Sequence, residues 1–217
     1  MNAMDANFWL QKWQRGEIGF HESVVNPLLV AHVDKLRVPQ GGRWLLPLCG
    51  KTLDIGWLLA RGYRVVGVEL SQLAVEALFA ELGMAPQITA LGALRHYQAS
   101  NIDIFNGDIF ALTPAQLGPV SAVYDRAALV ALPAALRQRY AAQVRTLSNT
   151  APQLLVTYEY DQSLRAGPPF SVNAEEVARL YADAYVLDVV AHQETSAAPN
   201  GRPAAVEVAR YLKPIEG

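Results

Sequence analysis

Apolar and polar positions change period along this chain, and the change divides it in two. Up to about residue 36 the apolar residues recur at helical spacing. The pattern predicts a first helix after Asp5, a fair N-cap. That helix carries Phe8, Trp9, Leu10 and Trp13 and stops at Gly16. A second has Asn26 as its cap and Pro27 in its first turn, where a missing N–H does no harm. It runs to about Leu36. From residue 43 onward, short apolar runs alternate with helical stretches. Residues 43–48, 64–70, 94–99, 102–105, 121–124 and 154–158 read as strands. Helices are expected at 51–61, closed by Gly62, and from the cap Ser71 to Gly83. Another opens at Pro133 and reaches about Leu147, and one more begins at Asn173, with Glu176 completing a capping box. The runs at 185–190 and 204–212 have no helical pattern between them, so they should pair antiparallel. The clusters at 167–169 and 199–201 read as loops.

Strands that alternate with helices of this length imply crossover connections. The expected fold is α/β and Rossmann-like, with a mostly parallel sheet of seven-strand type, helices on both faces and an antiparallel last strand. Residues 1–36 would form a helical cover and 43–213 the core of one domain spanning 1–217. In such a sheet ligands bind beyond the carboxyl ends of the strands. That directs attention to 48–52, 69–71, 108–110 and 124–128.

Composition narrows the partners. An apolar fraction of 52% with 18% charged residues supports a packed core and argues against disorder. A net charge of -2 gives no basic footprint for nucleic acid. No run is apolar for long enough to predict a membrane span, and the start has no basic and apolar leader. A single cysteine, Cys49, rules out an internal disulfide. A monomer in the reducing cytoplasm, acting on a small molecule, is the expectation.

The chemistry starts at Leu46-Pro47-Leu48-Cys49-Gly50-Lys51, a strand entering a turn and then a helix. A turn built for a pyrophosphate wants several glycines. One glycine suits a ligand that comes close to the backbone without a diphosphate, or else a plain connecting turn. Glu69 ends the next strand, 19 positions after Gly50 (69 − 50 = 19). That spacing suits a carboxylate accepting ribose hydroxyls, and otherwise a solvated strand end that supports no core. Asp108 either meets the exocyclic amine of an adenine, with Ile109 on its ring, or makes a turn. Trp9 and Trp13 share a helix face. They read as core, or as a cover over a cationic ligand. The histidines at 21, 32, 96 and 192 lack metal-ligand spacing, so no metal is expected. Cys49 reads as a small buried hydrophobe.

These stretches resemble the thiopurine S-methyltransferases, within the class I S-adenosylmethionine-dependent methyltransferases. The matching residues are Phe8-Trp9 with Lys12-Trp13, the run from Ile18 to Glu22, the run from Leu46 to Lys51 with Asp54, and the run from Val65 to Ser71. Asp125 to Ala131 and Gly167-Pro168-Pro169-Phe170 follow in order, so the likeness covers about 8–180. Its most specific element is the single-glycine turn, where most class I enzymes carry several glycines. The short N-terminal lead-in looks like the bacterial members.

The resemblance implies S-adenosylmethionine as cofactor and S-adenosylhomocysteine as product. It implies that Trp9 and Trp13 lie over the cofactor, that Leu48 and Gly50 shape the turn at its methionine portion, and that Glu69 holds the ribose. Asp108 and Ile109 would touch the adenine. Arg126 would reach the active centre, assisting catalysis and binding. Phe20, His21, Pro168, Pro169 and Phe170 would form the acceptor pocket and its lid. Ala127 stands where relatives often carry glycine. The implied reaction is methyl transfer to sulfur of small aromatic or heterocyclic thiols, with selenium or tellurium species as further acceptors. A nicotinamide oxidoreductase, disfavoured by the missing multi-glycine fingerprint, and a non-enzymatic nucleoside-binding module are the alternatives. No residue stands in an evident general-base position; His21 and Asp125 are the ones to test first.

Overall fold

The structure, a computed structural model, describes residues 6–195 and 204–215. The expected N-cap Asp5 and the loop at 199–201 lie outside the described residues. Strands β1 (Arg43–Pro47), β2 (Arg64–Glu69), β3 (Gln87–Leu91), β4 (Leu94–Ala99), β5 (Ile102–Asn106), β6 (Ala122–Arg126), β7 (Gln153–Glu159), β8 (Tyr185–Thr195) and β9 (Ala205–Pro214) form one sheet. Their spatial order is β3-β4-β5-β2-β1-β6-β7-β9-β8. From β5 to β7 every neighbouring pair is parallel. β9 runs antiparallel to both β7 and β8. This is the expected mostly parallel sheet with an antiparallel last strand.

The hairpin of β3 and β4 widens it beyond seven strands. Residues 87–91 were not expected to be a strand. All five positions of β3 are exposed or nearly so: Gln87-Ile88-Thr89-Ala90 alternates polar and apolar, but the run is short and has no buried face. Its partner β4 supplies the order, by antiparallel pairing on both sides.

The central strands are largely buried because both their faces are covered. Within β1, Trp44 and Leu46 enter the core on one face and Leu45 the core on the other. The helices on these faces are α3 (Leu53–Ala60), α4 (Gln72–Glu81), α5 (Pro114–Leu117), α6 (Ala134–Ser148) and α7 (Ala174–Tyr181). Ser71 caps α4 through a hydrogen bond from the Ala74 N–H. At α7 only half of the expected capping box forms. Asn173 accepts from the Glu176 N–H at 3.0 Å, while the Glu176 carboxylate turns to Arg137 at 2.5 Å and Arg179 at 3.3 Å. Ion pairing there outcompetes the return bond to the cap. A complete box, Thr113 with Gln116, opens α5 instead.

The N-terminal segment is not one unit. Helix α1 (Ala6–Gln14) buries no residue. Helix α2 (Pro27–His32) and the 3-10 turn Val33–Leu36 bury Leu28, Leu29, Val33 and Leu36 in the same cluster as Trp44 and Ile55. Of the segment 1–36 expected as a cover, 27–36 packs into the core. Asp54, in the first turn of α3, marks the border by accepting the Asn26 N–H at 2.8 Å.

Candidate active site

A cleft of about 610 Å³ opens where the parallel strands end at their carboxyl termini. The turn after β1 forms its floor. Leu48 sits there at φ +48°, an uncommon conformation for leucine, and Gly50 at φ +53°. A Cβ added to Gly50 would meet the Trp13 ring at 3.2 Å, so bare backbone faces the indole. Trp13 and Trp9 each meet Phe20 edge-on, with centroids 5.6 Å apart in both cases. The three rings line the cleft as an aromatic wall from the N-terminal segment, outside the two buried cores.

Glu69 ends β2 beside this turn. It is 6% exposed, which corrects the reading of a solvated strand end. One carboxylate oxygen accepts the Gly50 N–H at 2.8 Å and the other the Ser71 N–H at 2.7 Å. Each oxygen keeps a lone-pair site for a ligand hydroxyl. Burial pushes the carboxyl up, and the backbone N–H groups oppose the shift. Glu69 thus has two functions in one place: it holds the turn and it faces the cleft. Asp108 does make a turn, accepting the Phe110 N–H at 3.0 Å, and it also lines the cleft with the buried Ile109. The two alternatives for Asp108 are compatible.

Cys49 lines the cleft, but burial and the nearby Glu69 charge push its thiol well up, which leaves a small apolar group. His21 lines it too. Desolvation, then the Lys51 charge, lower its pKa, so the imidazole is neutral at neutral pH. Asp125 is not a cleft residue. It is fully buried within β6, where it accepts the Tyr140 hydroxyl at 2.6 Å and the Leu129 N–H at 3.1 Å. That removes it as a base for a ligand in the cleft. Ala127 has φ +60°, which gives the physical reason for a glycine preference at this position.

Arg126 leaves the end of β6 into the cleft. Its partner is Glu22, at 3.2 Å, rather than the adjacent Asp125. Tyr124 and Asp54 line the same wall. The Tyr124 hydroxyl, one Asp54 oxygen and the Arg126 Nε are buried without a hydrogen-bond partner among the described residues. Tyr124 and Asp54 also act on each other: burial, then the carboxylate, raises the phenol's pKa, so this part of the lining is polar and close-set. Sequence reasoning gave Tyr124, Asp54 and Glu22 no role. The carboxyl-end rule pointed to the neighbourhood of Tyr124 only.

Pro168 and Pro169 close the cleft from the loop after β7, with Arg165 and Tyr158 nearby on its lining. Phe170 does not line it, contrary to expectation. Its ring folds back on Gly167, where an added Cβ would come within 2.5 Å, and lies 5.3 Å from the Arg137 guanidinium. Gly167 has φ +84° and no room for a side chain, so the loop takes its shape from that packing.

The strand order, the single-glycine turn and the acidic end of β2 define a class I methyltransferase fold. A 1,6-didemethyltoxoflavin-N1-methyltransferase of Burkholderia thailandensis, solved with 1,6-didemethyltoxoflavin and S-adenosylhomocysteine, shares it at a TM-score of 0.65. It is 15% identical and covers 97% of this chain and 88% of its own, so the likeness is one of fold. A methyltransferase of Anabaena variabilis matches equally, at 0.65 and 16% identity over 99% and 96% of the two chains. The family model of the thiopurine S-methyltransferases matches residues 4–212. The chain is 53% identical to the thiopurine S-methyltransferase of Xanthobacter autotrophicus, over 98% of this chain and 99% of that one. For the enzyme of Teredinibacter turnerae the figures are 50%, 94% and 95%. The chain belongs to the thiopurine S-methyltransferase family, and its cofactor is S-adenosylmethionine.

Proposed function

We propose that this chain transfers a methyl group from S-adenosylmethionine to the sulfur of small aromatic or heterocyclic thiols, thiopurines among them. The observation that carries the reading is a buried cation, Arg126, set in a cleft that also holds the aromatic residues Trp9, Trp13 and Phe20. Bound there, the cofactor supplies a methyl group on a positively charged sulfur, open to in-line attack. Trp9 and Trp13 suit a cover over that cation. Glu69 suits the ribose, Asp108 and Ile109 the adenine, and Leu48 and Gly50 the methionine portion.

At the acceptor end, Phe20, His21, Pro168 and Pro169 offer a slot for a flat ring and exclude water. Arg126 favours the ionised sulfur by its charge. An aromatic thiol is acidic enough to ionise without a strong base. We read the chain as a monomer of the cytoplasm, where a lone cysteine, Cys49, needs no disulfide partner. Among the described residues no helix is long and apolar enough to cross a membrane.

The test is a methyl-transfer assay with labelled cofactor against thiopurines, thiophenols, selenols and tellurite. Product from the aromatic thiols supports the reading. Turnover confined to selenium or tellurium species would move the function to another soft nucleophile.

A further inference from the structure

The Arg126–Glu22 pair is lopsided. The arginine side chain is 8% exposed and projects from the end of a central strand, whereas the glutamate side chain is 41% exposed and comes from a loop. Separating the pair would leave Glu22 in water, where its hydration makes up much of what it loses. Arg126 would be left as a buried cation without its direct ion pair, supported only at longer range by Asp54 and Glu207, so an arriving anion is favoured there. The remaining groups that face Arg126 are Tyr124, Tyr158, Asp54 and Glu207: burial opposes its charge, the two carboxylates support it, and the two tyrosines, pushed up by burial, are neutral hydroxyls. The one ion pair it makes among the described residues is to Glu22. Both partners line the cleft. An ionised acceptor therefore enters a site whose cation already carries a carboxylate.

We propose that Glu22 is a specificity-determining residue, a tethered carboxylate that occupies Arg126 until the acceptor's thiolate displaces it. Neutral ligands leave the pair intact, and anionic ones must compete with it. Glu22 thereby sets how strongly the site prefers a thiolate over an uncharged molecule of the same shape. The inference rests on the thiol reading above for the identity of the anion.

The experiment compares 4-nitrothiophenol, ionised at neutral pH, with its neutral S-methylated product. Binding of each is measured by calorimetry in the presence of S-adenosylhomocysteine, and methylation of the thiol is followed in parallel. Glu22→Gln should raise the ratio of thiolate to thioether affinity by roughly three- to tenfold. The same substitution in an Arg126→Gln background should leave the ratio where Arg126→Gln alone puts it, since the two residues act through one contact. An unchanged ratio in Glu22→Gln, a change that persists without Arg126, or an effect on cofactor affinity alone would overturn the proposal. Should the wild-type chain bind the thiolate without methylating it, the thiol reading fails while the affinity ratios still decide the case of Glu22.

Discussion

The carboxylate of Glu69 accepts the backbone N–H of Gly50 at 2.8 Å, joining the end of β2 to the turn after β1. With its second bond, from Ser71, it also fixes the start of α4. A cleft-lining acid is thus a structural tie as well, and substitution separates that role from the proposed ribose contact. Glu69→Ala should weaken S-adenosylhomocysteine binding by about ten- to hundredfold. It should also lower stability by about 1–3 kcal/mol, because two buried N–H groups lose their acceptor. Glu69→Gln keeps an acceptor oxygen and should recover part of the stability. Calorimetry and denaturant melts read the two effects. Full stability in Glu69→Ala would show that the turn holds itself.

Helix α1 and the loop to Glu22 should behave as a closing cover, separate from α2. Hydrogen exchange with and without S-adenosylhomocysteine should show protection rising at 6–22 and staying level at 27–36, whose apolar side chains are already buried. Trp13→Ala should weaken cofactor binding while changing stability by less than about 1 kcal/mol, since α1 contributes nothing to either core. Equal protection of 6–22 in both states would count against a cover.

The acceptor should supply its own ionisation. His21 is the cleft residue closest to a base, and its lowered pKa leaves it a weak one. Across aromatic thiols of graded acidity, the rising limb of kcat/KM against pH should follow each thiol's pKa. A limb that stays in place for every thiol would assign the proton to the enzyme. Arg126→Gln should slow the least ionised thiols most.

Asp125 predicts a stability effect remote from the chemistry. Burial pushes its carboxyl up to about 6, against the bonds from Tyr140 and the Leu129 and Ala128 backbone. The folded state therefore holds this proton more tightly than the unfolded chain does. The stabilisation is complete below the unfolded pKa of roughly 4 and is lost as pH rises through about 6. Asp125→Asn, which cannot ionise, should gain on the wild type by up to about 3 kcal/mol between pH 4 and pH 7.5. Denaturant midpoints of both proteins at several pH values give the difference curve. A flat difference would place the pKa near its ordinary value.

Local periodicity alone determined the parallel core. Apolar runs such as Leu45–Leu46 and Val65–Val66 reveal strands covered on both faces, and caps such as Asn26 and Ser71 mark helix starts within the chain's own neighbourhood. The rule that ligands gather at carboxyl strand ends then located Gly50, Glu69, Ile109 and Arg126 correctly at one cleft. Tertiary structure decided whatever depended on distant partners. β3 has no buried face and is ordered by its neighbour. Glu176 chose Arg137, 39 positions away, over its own cap. Phe170 turned from the cleft to pack on Gly167 and Arg137. Arg126 found Glu22, 104 positions away, while the adjacent Asp125, buried in β6, took Tyr140. Periodicity and capping report energies set within a few residues. The choice among charged and aromatic partners is made by burial and distance, which exist only once the chain has folded.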